Sequence, residues 1–489
     1  MSIRRTSLPA LLVSSLMLSS VLGFSHSVSG HSNLRNVQPA IAAVSSPYTL
    51  YLPLVSNRFP LETVFGVEMD QITTDGGLDQ VAAANTTWVR RNGVLWADVE
   101  PDKGTRNWGA LAGLEQELRD ASAKNLQVIL IVRKTPLWAQ KVSGSFCGPI
   151  KLEELGAFGN FMYDLVSRYS VAPYKVRYWE IWNEPDVDPA LAAYIGGDSI
   201  PFGCWGDQNN DYYGGGYYAE MLKAAYPRIK AADPQAQVLV GGLLLDCDPR
   251  GSPSVCASLT PPHTDKPAKF LEGILLGGGG PYFDGVSFHT YDVYWGALGQ
   301  YKMPNWNTAW DTTGPTVIAK AGFVKSVLTA YGFSGKFLMN TETAILCRSC
   351  SNDAIYETTK AYYVAQSYAA ALAQGLRASV WYSVLGWQNS GLLNPDLTPR
   401  PAYTAFQFAC SELRDATFVR EITEYDHVKG YEFNRGDRRI WLLWSLDGAS
   451  HPINLPGVPL AIYHVDGMPV PPVGSLTVTL EPLYLEWSP

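Results

Sequence analysis

Residues 176–185 of this chain read VRYWEIWNEP, a short apolar run that ends in Asn183, Glu184 and Pro185. Its length and its aromatic and branched residues are typical of a buried strand rather than a helix. A carboxylate therefore lies where this strand becomes a loop. What surrounds that carboxylate depends on the place of the strand in the whole fold.

Seven further runs of the same kind begin near residues 63, 88, 127, 237, 285, 336 and 379. Between most of them apolar residues recur every three or four positions, over 111–123, 152–169, 217–231, 317–331 and 354–373, as in amphipathic helices. Alternating strands and helices predict a parallel sheet. Eight units over about 350 residues predict a (β/α)8 TIM barrel, which we place at 61–412.

A doubly wound open sheet is the competing layout. It usually carries a glycine-rich phosphate-binding turn after its first strand, and Gly76-Gly77 does not form one. The sequence pattern changes after the eighth strand–helix unit. Short strand-like runs alternate there with turn signals such as Asn434–Asp437 and Asp447-Gly448. We therefore predict a small antiparallel β domain over 413–489.

The first residues resemble a targeting segment. Arg4 and Arg5 precede an uncharged, apolar and serine-rich run over 8–24. This pattern predicts a signal peptide over 1–30, followed by a linker or tether over 31–60 that is rich in Ser, Val, Ala and Pro. A membrane anchor is the alternative, although a run of about 17 residues is at the short limit for spanning. We expect a secreted protein, either free or held at the cell surface.

The overall composition excludes several classes of protein. The chain has 489 residues, of which 46% are hydrophobic and 17% charged, and this balance excludes an intrinsically disordered protein. It carries 37 basic and 45 acidic side chains and no long basic run, so we expect no nucleic acid partner. Aromatic residues make up 12%, which suits either a site that stacks on sugars or a large core. We expect a monomer.

A second carboxylate ends the seventh run, which reads Asn340-Thr341-Glu342-Thr343. Catalytic groups of TIM barrels come from the carboxyl ends of several strands, so Glu184 and Glu342 should face each other across the barrel mouth. Two carboxylates across a pocket are the minimum apparatus for glycoside hydrolysis, where one donates a proton and the other attacks the sugar or activates a water.

The motif Trp182-Asn183-Glu184-Pro185 after a fourth strand, with Thr341-Glu342 after a seventh, resembles clan A of the glycoside hydrolases. Those are retaining barrel enzymes that act on oligosaccharides or polysaccharides, and the resemblance covers about residues 60–400. It implies that Glu184 is the general acid/base and Glu342 the nucleophile. It also implies that Asn183 donates a hydrogen bond to a sugar hydroxyl, and that no cofactor is needed.

The resemblance implies further substrate-binding positions on three other runs. On the sixth, a tyrosine at Tyr291 would bind the nucleophile, and His289 would line the sugar site. On the second, Arg90 rather than Arg91 would point inwards and keep the nucleophile ionised. On the eighth, Trp381 would form the floor under the sugar. Packing in the core is the alternative for His289, Tyr291 and Trp381.

The third run departs from much of the clan, because many members have a histidine at its end. Here it ends Lys134-Thr-Pro-Leu-Trp138, and Thr-Pro-x-Trp resembles the subset of β-xylosidases and α-iduronidases. We therefore place Trp138 among the substrate-binding residues and leave the sugar open. Lys134 could meet an acidic sugar or be solvated.

Glu180 is the rival acid on the fourth run. It would lie about 13 Å deeper than Glu184, at about 3.3 Å per residue, which favours a structural ion pair. The seven histidines include no pair at ligand spacing on a strand end, so we predict no metal site. A barrel that binds glycans without cutting them, a metal-dependent hydrolase and a transglycosylase are the alternatives to a hydrolase.

Seven cysteines are present. Cys247 with Cys256, and Cys347 with Cys350, would close short loops as disulfides, which an exported protein favours. The Cys347–Cys350 pair could instead ligate a metal or act as a redox pair. At least one thiol is free or pairs outside the chain. The loop after the sixth run contains aromatic residues that either stack on sugars or pack on one another: Tyr294, Trp295, Tyr301, Trp306 and Trp310.

Overall fold

The computed structural model describes residues 63–187, 202–250, 254, 256, 264–306, 308–309 and 314–489. The predicted signal peptide (1–30) and linker (31–60) lie outside the described residues. Ten strands belong to the first sheet: β1 (Phe65–Glu68), β2 (Trp88–Leu95), β3 (Gln127–Arg133), β4 (Tyr178–Asn183), β5 (Gln237–Leu243), β6 (Gly285–Tyr294), β7 (Tyr301–Met303), β8 (Thr308–Ala309), β9 (Phe337–Leu346) and β10 (Ala378–Trp381).

The α-helices of the described residues lie mainly between these strands. They are α1 (Leu78–Ala83), α2 (Trp96–Val99), α3 (Ala112–Ala123), α4 (Leu155–Tyr169), α5 (Gly215–Ala232), α6 (Phe270–Leu276), α7 (Val317–Ala330), α8 (Ala354–Ala373) and α9 (Pro401–Glu412). The five predicted helical segments coincide with α3, α4, α5, α7 and α8. None of the helices in the described part of the chain combines the length and the apolar character needed to cross a membrane.

Eight parallel strands close into a barrel. They follow the chain in the order β1, β2, β3, β4, β5, β6, β9 and β10, and β10 pairs with β1. Each begins within about two residues of a predicted run, because parallel strands covered on both faces read as short continuous apolar segments. The predicted (β/α)8 barrel is confirmed.

Side chains fill the lower barrel and form a dry plug beneath the site. The plug contains Trp88, Ile129, Tyr178, Leu239, Met339, Ala378 and Val380. The residues that alternate with these along the same strands point outwards and pack against the surrounding helices. Because side chains alternate along a strand, Arg90 and Glu180 point to the same interior as Trp88 and Tyr178, two positions further up.

Strands β6 and β9 are longer than the other barrel strands and continue above the rim. Their parallel pairing extends from Gly285–Phe337 to Val293–Leu346. An antiparallel hairpin of β7 and β8 extends β6 on the same sheet. This raised wall carries Tyr291 and Glu342.

The C-terminal region is an antiparallel β domain, as predicted. Its larger sheet has the order β11-β12-β13-β18-β15-β16, and β14 pairs with β17. The strands are β11 (Thr417–Ile422), β12 (Val428–Arg435), β13 (Arg438–Ser445), β14 (His451–Asn454), β15 (Ala461–Tyr463), β16 (Pro469–Val470), β17 (Ser475–Val478) and β18 (Leu483–Trp487). One face of the sheet shares the main core, where Tyr484 packs edge to face on Phe408 of α9.

Six cysteines form three disulfides, Cys147–Cys204, Cys247–Cys256 and Cys347–Cys350. The second and third are the predicted loop closures, whereas sequence alone did not pair Cys147 with Cys204. Cys410 is the free thiol and is buried. The Cys347–Cys350 pair is thus used as a disulfide and not as a pair of metal ligands.

Candidate active site

Polar side chains from distant parts of the chain converge at the carboxyl ends of the barrel strands. Glu68 ends β1, and Asn183 ends β4 with Glu184 directly after it. His289 lies on β6 and Glu342 on β9. These residues lie close together in space because all strands of the parallel barrel end at the same face.

The backbone at the end of β4 is strained. Trp182 and Glu184 adopt φ angles of 74° and 44°, in the left-handed region that residues other than glycine rarely enter. The Glu184 N–H donates to the Gly242 carbonyl at 2.9 Å, and the Trp182 indole donates to the Cys147 carbonyl at 3.1 Å. These bonds hold a conformation that costs about 1–3 kcal/mol per residue. The turn brings the Glu184 carboxylate to 2.8 Å from His289 Nδ1.

Arg90 is the central charge of the site and is fully buried. Its Nη1 atom donates to Glu68 at 2.5 Å and also to Glu342. Its Nη2 atom donates to Glu180 and to the Oδ1 atom of Asn183, both at 2.6 Å. The planar guanidinium group therefore donates hydrogen bonds to three carboxyl groups and one amide, and holds all four in place. Glu180 lies in an ion pair, as its depth in the barrel predicted.

Glu68 is a third acid beside the two predicted ones. Burial raises the pKa of Glu68 to about 8, and the negative charges of Glu342 and Glu180 raise it in the same direction, whereas Arg90 opposes them. Burial thus favours the neutral form of Glu68, whereas the Arg90 charge favours the ionised form.

Glu342 is 5% exposed and accepts hydrogen bonds on both of its oxygens. Arg90 Nη1 donates to Oε1, and the Tyr291 hydroxyl donates to Oε2. The two donors therefore hold the carboxyl group in a fixed orientation. The contact between Tyr291 and Glu342 is the one that the resemblance implied.

His289 lies between the two glutamates and is fully buried. Its Nδ1 atom is 2.8 Å from Glu184 Oε1 and 3.4 Å from Glu342 Oε2. Burial lowers the pKa of His289 to about 4, so the ring is neutral at pH 7. Its Nε2 atom lies 3.4 Å from Arg90 Nη2, which can only donate, so Nε2 accepts and Nδ1 carries the proton. The Nδ1–H group is thus directed at Glu184.

A glycine makes room for this ring. A Cβ atom on Gly242 would lie 2.0 Å from His289 Nε2, closer than any side chain could approach. The Gly242 N–H also donates to Glu180 Oε1 at 3.0 Å. The Gly241-Gly242 pair at the end of β5 therefore serves the packing of the site.

Burial and nearby positive charges have opposite effects on the pKa of Glu184. Burial raises the pKa of Glu184 to about 7, and the charges of Arg90 and Lys320 lower it. Lys320 is buried on α7 and donates to the carbonyls of Leu244, at 2.6 Å, and of His289, at 2.8 Å. It thus links the middle of β6 to the residue that follows β5.

Within the described residues, Glu184, His289 and Glu342 are also the group whose geometry comes nearest to a metal site. Their donor atoms lie within 4.8 Å of one another. A cation among them would compete with the Arg90 guanidinium, which already donates to Glu342 and approaches His289. Nearby like charges repel strongly in a buried site, so the donor set fits a proton-transfer pair better than a metal.

Two predicted substrate-binding residues lie elsewhere. Trp381 is 0% exposed. The side chains of Ala378 and Val380 point into the barrel, so Trp381, on the opposite face of β10, points towards the helices. Its indole donates to the Ser390 carbonyl at 2.9 Å, so the alternative of core packing describes it. Trp138 packs edge to face on Trp96 and donates to a backbone carbonyl at 3.1 Å, in contacts with the segment after β2 rather than with the glutamates.

Three residues near the glutamates were not predicted from the sequence. Glu68 has the same signal as the two predicted acids, because Phe65–Glu68 ends in a carboxylate as the fourth and seventh runs do. Tyr382 and Trp387 follow β10, and both rings contact Tyr291 edge to face. No sequence signal distinguishes Trp387 from the other tryptophans. A cavity of about 160 Å³ opens beside Glu68, with Asp70, Gln71 and Ser383 among its lining residues.

Among the described aromatic residues predicted for the loop after the sixth run, Tyr294, Tyr301 and Trp306 pack within the protein. Tyr301 and Trp306 are buried, and Trp306 donates to the Leu245 carbonyl at 2.7 Å. Trp295 is exposed but has the Lys302 ammonium over its ring. Trp310 lies outside the described residues. On the third run, Lys134 pairs with Asp98 at 2.9 Å.

Comparison with known proteins identifies relatives in fold. No protein-family model and no curated protein matches the chain. Among solved structures, a family 39 glycoside hydrolase from the gut symbiont Bacteroides cellulosilyticus WH2 matches with a TM-score of 0.64 and 18% identity over 87% of this chain and 80% of that one. A GH30 endoxylanase from Clostridium papyrosolvens C71 gives 0.57 and 12%, over 88% and 97%.

A GH39 β-xylosidase from Caulobacter crescentus gives a TM-score of 0.53 and 17% identity, over 88% of this chain and 97% of that one. At such identities the likeness concerns the fold. The barrel fold that the resemblance to clan A implied is confirmed at that level, in solved structures of family 39 and family 30 glycoside hydrolases.

Proposed function

We propose that this protein is a retaining glycoside hydrolase that cleaves the O-glycosidic bonds of an oligosaccharide or polysaccharide. The observation that carries the proposal is the separation of Glu184 and Glu342, whose nearest oxygens lie within 4.8 Å at the mouth of the barrel. Retaining enzymes place their carboxyl groups about 5–5.5 Å apart, whereas inverting ones leave about 6.5–9.5 Å for a water. The short gap therefore supports retention.

In the first step, a Glu342 oxygen attacks the anomeric carbon while Glu184 gives its proton to the leaving glycosidic oxygen. A covalent sugar ester on Glu342 results. In the second step, the Glu184 carboxylate takes a proton from a water, the water oxygen attacks the anomeric carbon, and Glu342 leaves as a carboxylate. The products are the freed alcohol and a sugar of the original anomeric configuration.

The surroundings of the two acids support these different roles. A pKa of about 7 lets Glu184 hold a proton near neutral pH and release it during turnover. Glu342 instead accepts a hydrogen bond from Arg90 on one oxygen and from Tyr291 on the other, which orients the carboxyl group for attack on the sugar. Asn183 presents its Oδ1 atom to Arg90, which orients the amide nitrogen as the donor for a sugar hydroxyl.

The test is sugar release by the purified protein from aryl β-glycosides and common polysaccharides, with E184A and E342A as the variants. We expect E342A to lose turnover at least about a thousandfold, with partial rescue by azide. E184A should lose less on aryl glycosides with good leaving groups, because they need little protonation. The proposal fails if both variants keep wild-type rates, or if NMR shows the opposite anomer as first product.

We also propose that the protein is exported. The N-terminal pattern of two arginines and an apolar run supports this, as do three disulfides, which persist in oxidising compartments. Expression with the full N-terminus should place a shortened protein outside the cytoplasm. Recovery of an uncleaved chain in the cytoplasm would contradict the proposal, and N-terminal sequencing distinguishes the two results.

A further inference from the structure

The disulfide between Cys147 and Cys204 lies against the turn that carries the proposed acid/base. Both cysteines are buried. Cys147 lies on the loop after β3, and Cys204 lies 57 positions further along the chain, on the loop after β4. Because β3 and β4 are neighbours in the barrel, the bond joins the segments that follow two adjacent strands.

The segment that contains the second of these cysteines pairs with the backbone on both sides of Glu184. The Gly203 N–H donates to the Asn183 carbonyl at 2.5 Å. The Trp205 N–H donates to the Pro185 carbonyl at 3.0 Å. The acid therefore lies between two backbone hydrogen bonds, and the segment that makes both of them is disulfide-bonded at its middle residue.

This segment is closely fitted to the turn. A Cβ atom on Gly203 would lie 2.7 Å from the Trp182 ring and 2.8 Å from Pro185 Cα, so a larger residue would push the segment away from the turn. The Trp205 ring packs edge to face on Trp182, at 5.0 Å between ring centroids. A displacement of the segment would therefore be passed directly to the residues that flank the acid.

The other side of the disulfide is anchored to the end of β3. Thr135, two positions after that strand, binds both neighbours of Cys147. Its N–H donates to the carbonyl of the preceding residue and its hydroxyl to the carbonyl of the following one, each at 2.8 Å. The Cys147 carbonyl itself accepts from the Cys204 N–H at 3.0 Å and from the Trp182 indole at 3.1 Å.

The turn needs support of this kind. Trp182 and Glu184 have left-handed φ angles, which such residues keep only where their surroundings hold them. We propose that the Cys147–Cys204 disulfide positions Glu184 for proton transfer to the leaving group, by fixing the turn after β4 to the end of β3. This inference rests on the proposed glycosidase function. The effect is confined to one of the two acids, because Glu342 lies on β9 and is held by other groups.

The kinetic experiment compares C147A/C204A with wild type on phenyl and dinitrophenyl β-xylosides and β-glucosides. The value of kcat/KM reports the first chemical step, in which a phenolate leaving group needs a proton from Glu184 and a dinitrophenolate does not. We expect the variant to lose about tenfold or more in kcat/KM on phenyl glycosides and less than about twofold on dinitrophenyl glycosides. Equal losses on both classes, or no loss on either, would overturn the inference, because a disulfide that only stabilised the fold would affect every substrate alike.

C347A/C350A is the matched control. It also removes a disulfide beside the barrel mouth, but on the loop that follows the strand of Glu342. The ratio of the two kcat/KM values should therefore equal that of wild type. If C147A/C204A does not fold, W182F provides the test, because it removes the indole donor to the Cys147 carbonyl and keeps an aromatic ring. W182F should change the ratio in the same direction, and an unchanged ratio would overturn the inference.

A spectroscopic measurement separates this inference from the proposed function. The His289 Nδ1–H group is directed at Glu184 over 2.8 Å, and its proton should give a downfield NMR signal in protein with isotopically labelled histidine. We expect this signal to shift or disappear in C147A/C204A and to persist in C347A/C350A. That change, from a wild type that releases no sugar, would keep the positioning role and overturn the glycosidase. Turnover in the wild type, with the signal and the kcat/KM ratio unchanged in C147A/C204A, would do the reverse.

Discussion

Removing the charge of Arg90 should destabilise the protein in a strongly pH-dependent way. In R90M, Glu180 and Glu342 would lose their buried guanidinium partner, whereas burial already raises the pKa of Glu68 and favours its neutral form. An isolated buried carboxylate takes up a proton rather than remain charged. The fold is retained only if these acids become neutral.

The size of the effect follows from the cost of that proton uptake. Forcing a glutamic acid of ordinary pKa, near 4.3, to be neutral costs about 3.7 kcal/mol at pH 7 and about 1 kcal/mol at pH 5. One or two acids must be neutralised, so we expect R90M to lose about 4–7 kcal/mol at pH 7 and about 1–2 kcal/mol at pH 5. The stability of R90M should fall as pH rises, because its buried acids bind protons more tightly in the folded state than in the unfolded state.

Arg91 is the matched control on the same strand. It points to the other face, where it pairs with Glu117 at 2.6 Å and is partly exposed. Glu117 keeps a second donor, the Ile72 N–H at 2.9 Å. We therefore expect R91M to lose about 1–2 kcal/mol at either pH.

The measurement is urea unfolding followed by tryptophan fluorescence at pH 5 and pH 7 for wild type, R90M and R91M. The difference between R90M and wild type should grow by at least about 2 kcal/mol between the two pH values. A loss for R90M that is the same at both pH values, or no larger than that of R91M, would refute the assignment of Arg90 as the cation of this buried network.

Three further predictions concern the chemistry. The value of kcat/KM should fall about tenfold per pH unit above pH 7, because Glu184 with a pKa of about 7 then loses its proton; a flat profile to pH 9 would contradict it. K320M should move that alkaline limb to higher pH, because the Lys320 charge lowers the pKa of Glu184, and K320R should leave it in place. Movement of the limb to lower pH in K320M would count against this charge effect. Dialysis against EDTA should leave activity unchanged, because the positive charge of Arg90, which donates to Glu342 and lies 3.4 Å from His289 Nε2, would repel a metal ion bound by these residues. A loss of activity that Zn²⁺ or Mn²⁺ restores would contradict this prediction.

The sequence by itself determined the barrel and the two glutamates. Buried parallel strands are continuous apolar runs, and their helices show a period of three to four, so eight units could be located to within about two residues. Because every strand of such a barrel ends at the same face, a carboxylate at a strand end is placed without knowledge of its contacts. The same rule, applied to β1, would have found Glu68.

Only the tertiary structure decided how the charges are shared and which aromatic residues face the site. Arg90 meets Glu342 from 252 positions away, and the ionisation of Glu68 and Glu184 depends on burial that no local pattern encodes. The face of Trp381 depends on the parity of β10 within the barrel, and the exposure of Trp387 depends on a turn fixed by α8 and the loop after β9. The spacing of apolar residues predicts which face of a helix or strand is buried. The charge state of an acid and the surroundings of a tryptophan depend instead on groups that folding brings together from distant parts of the chain.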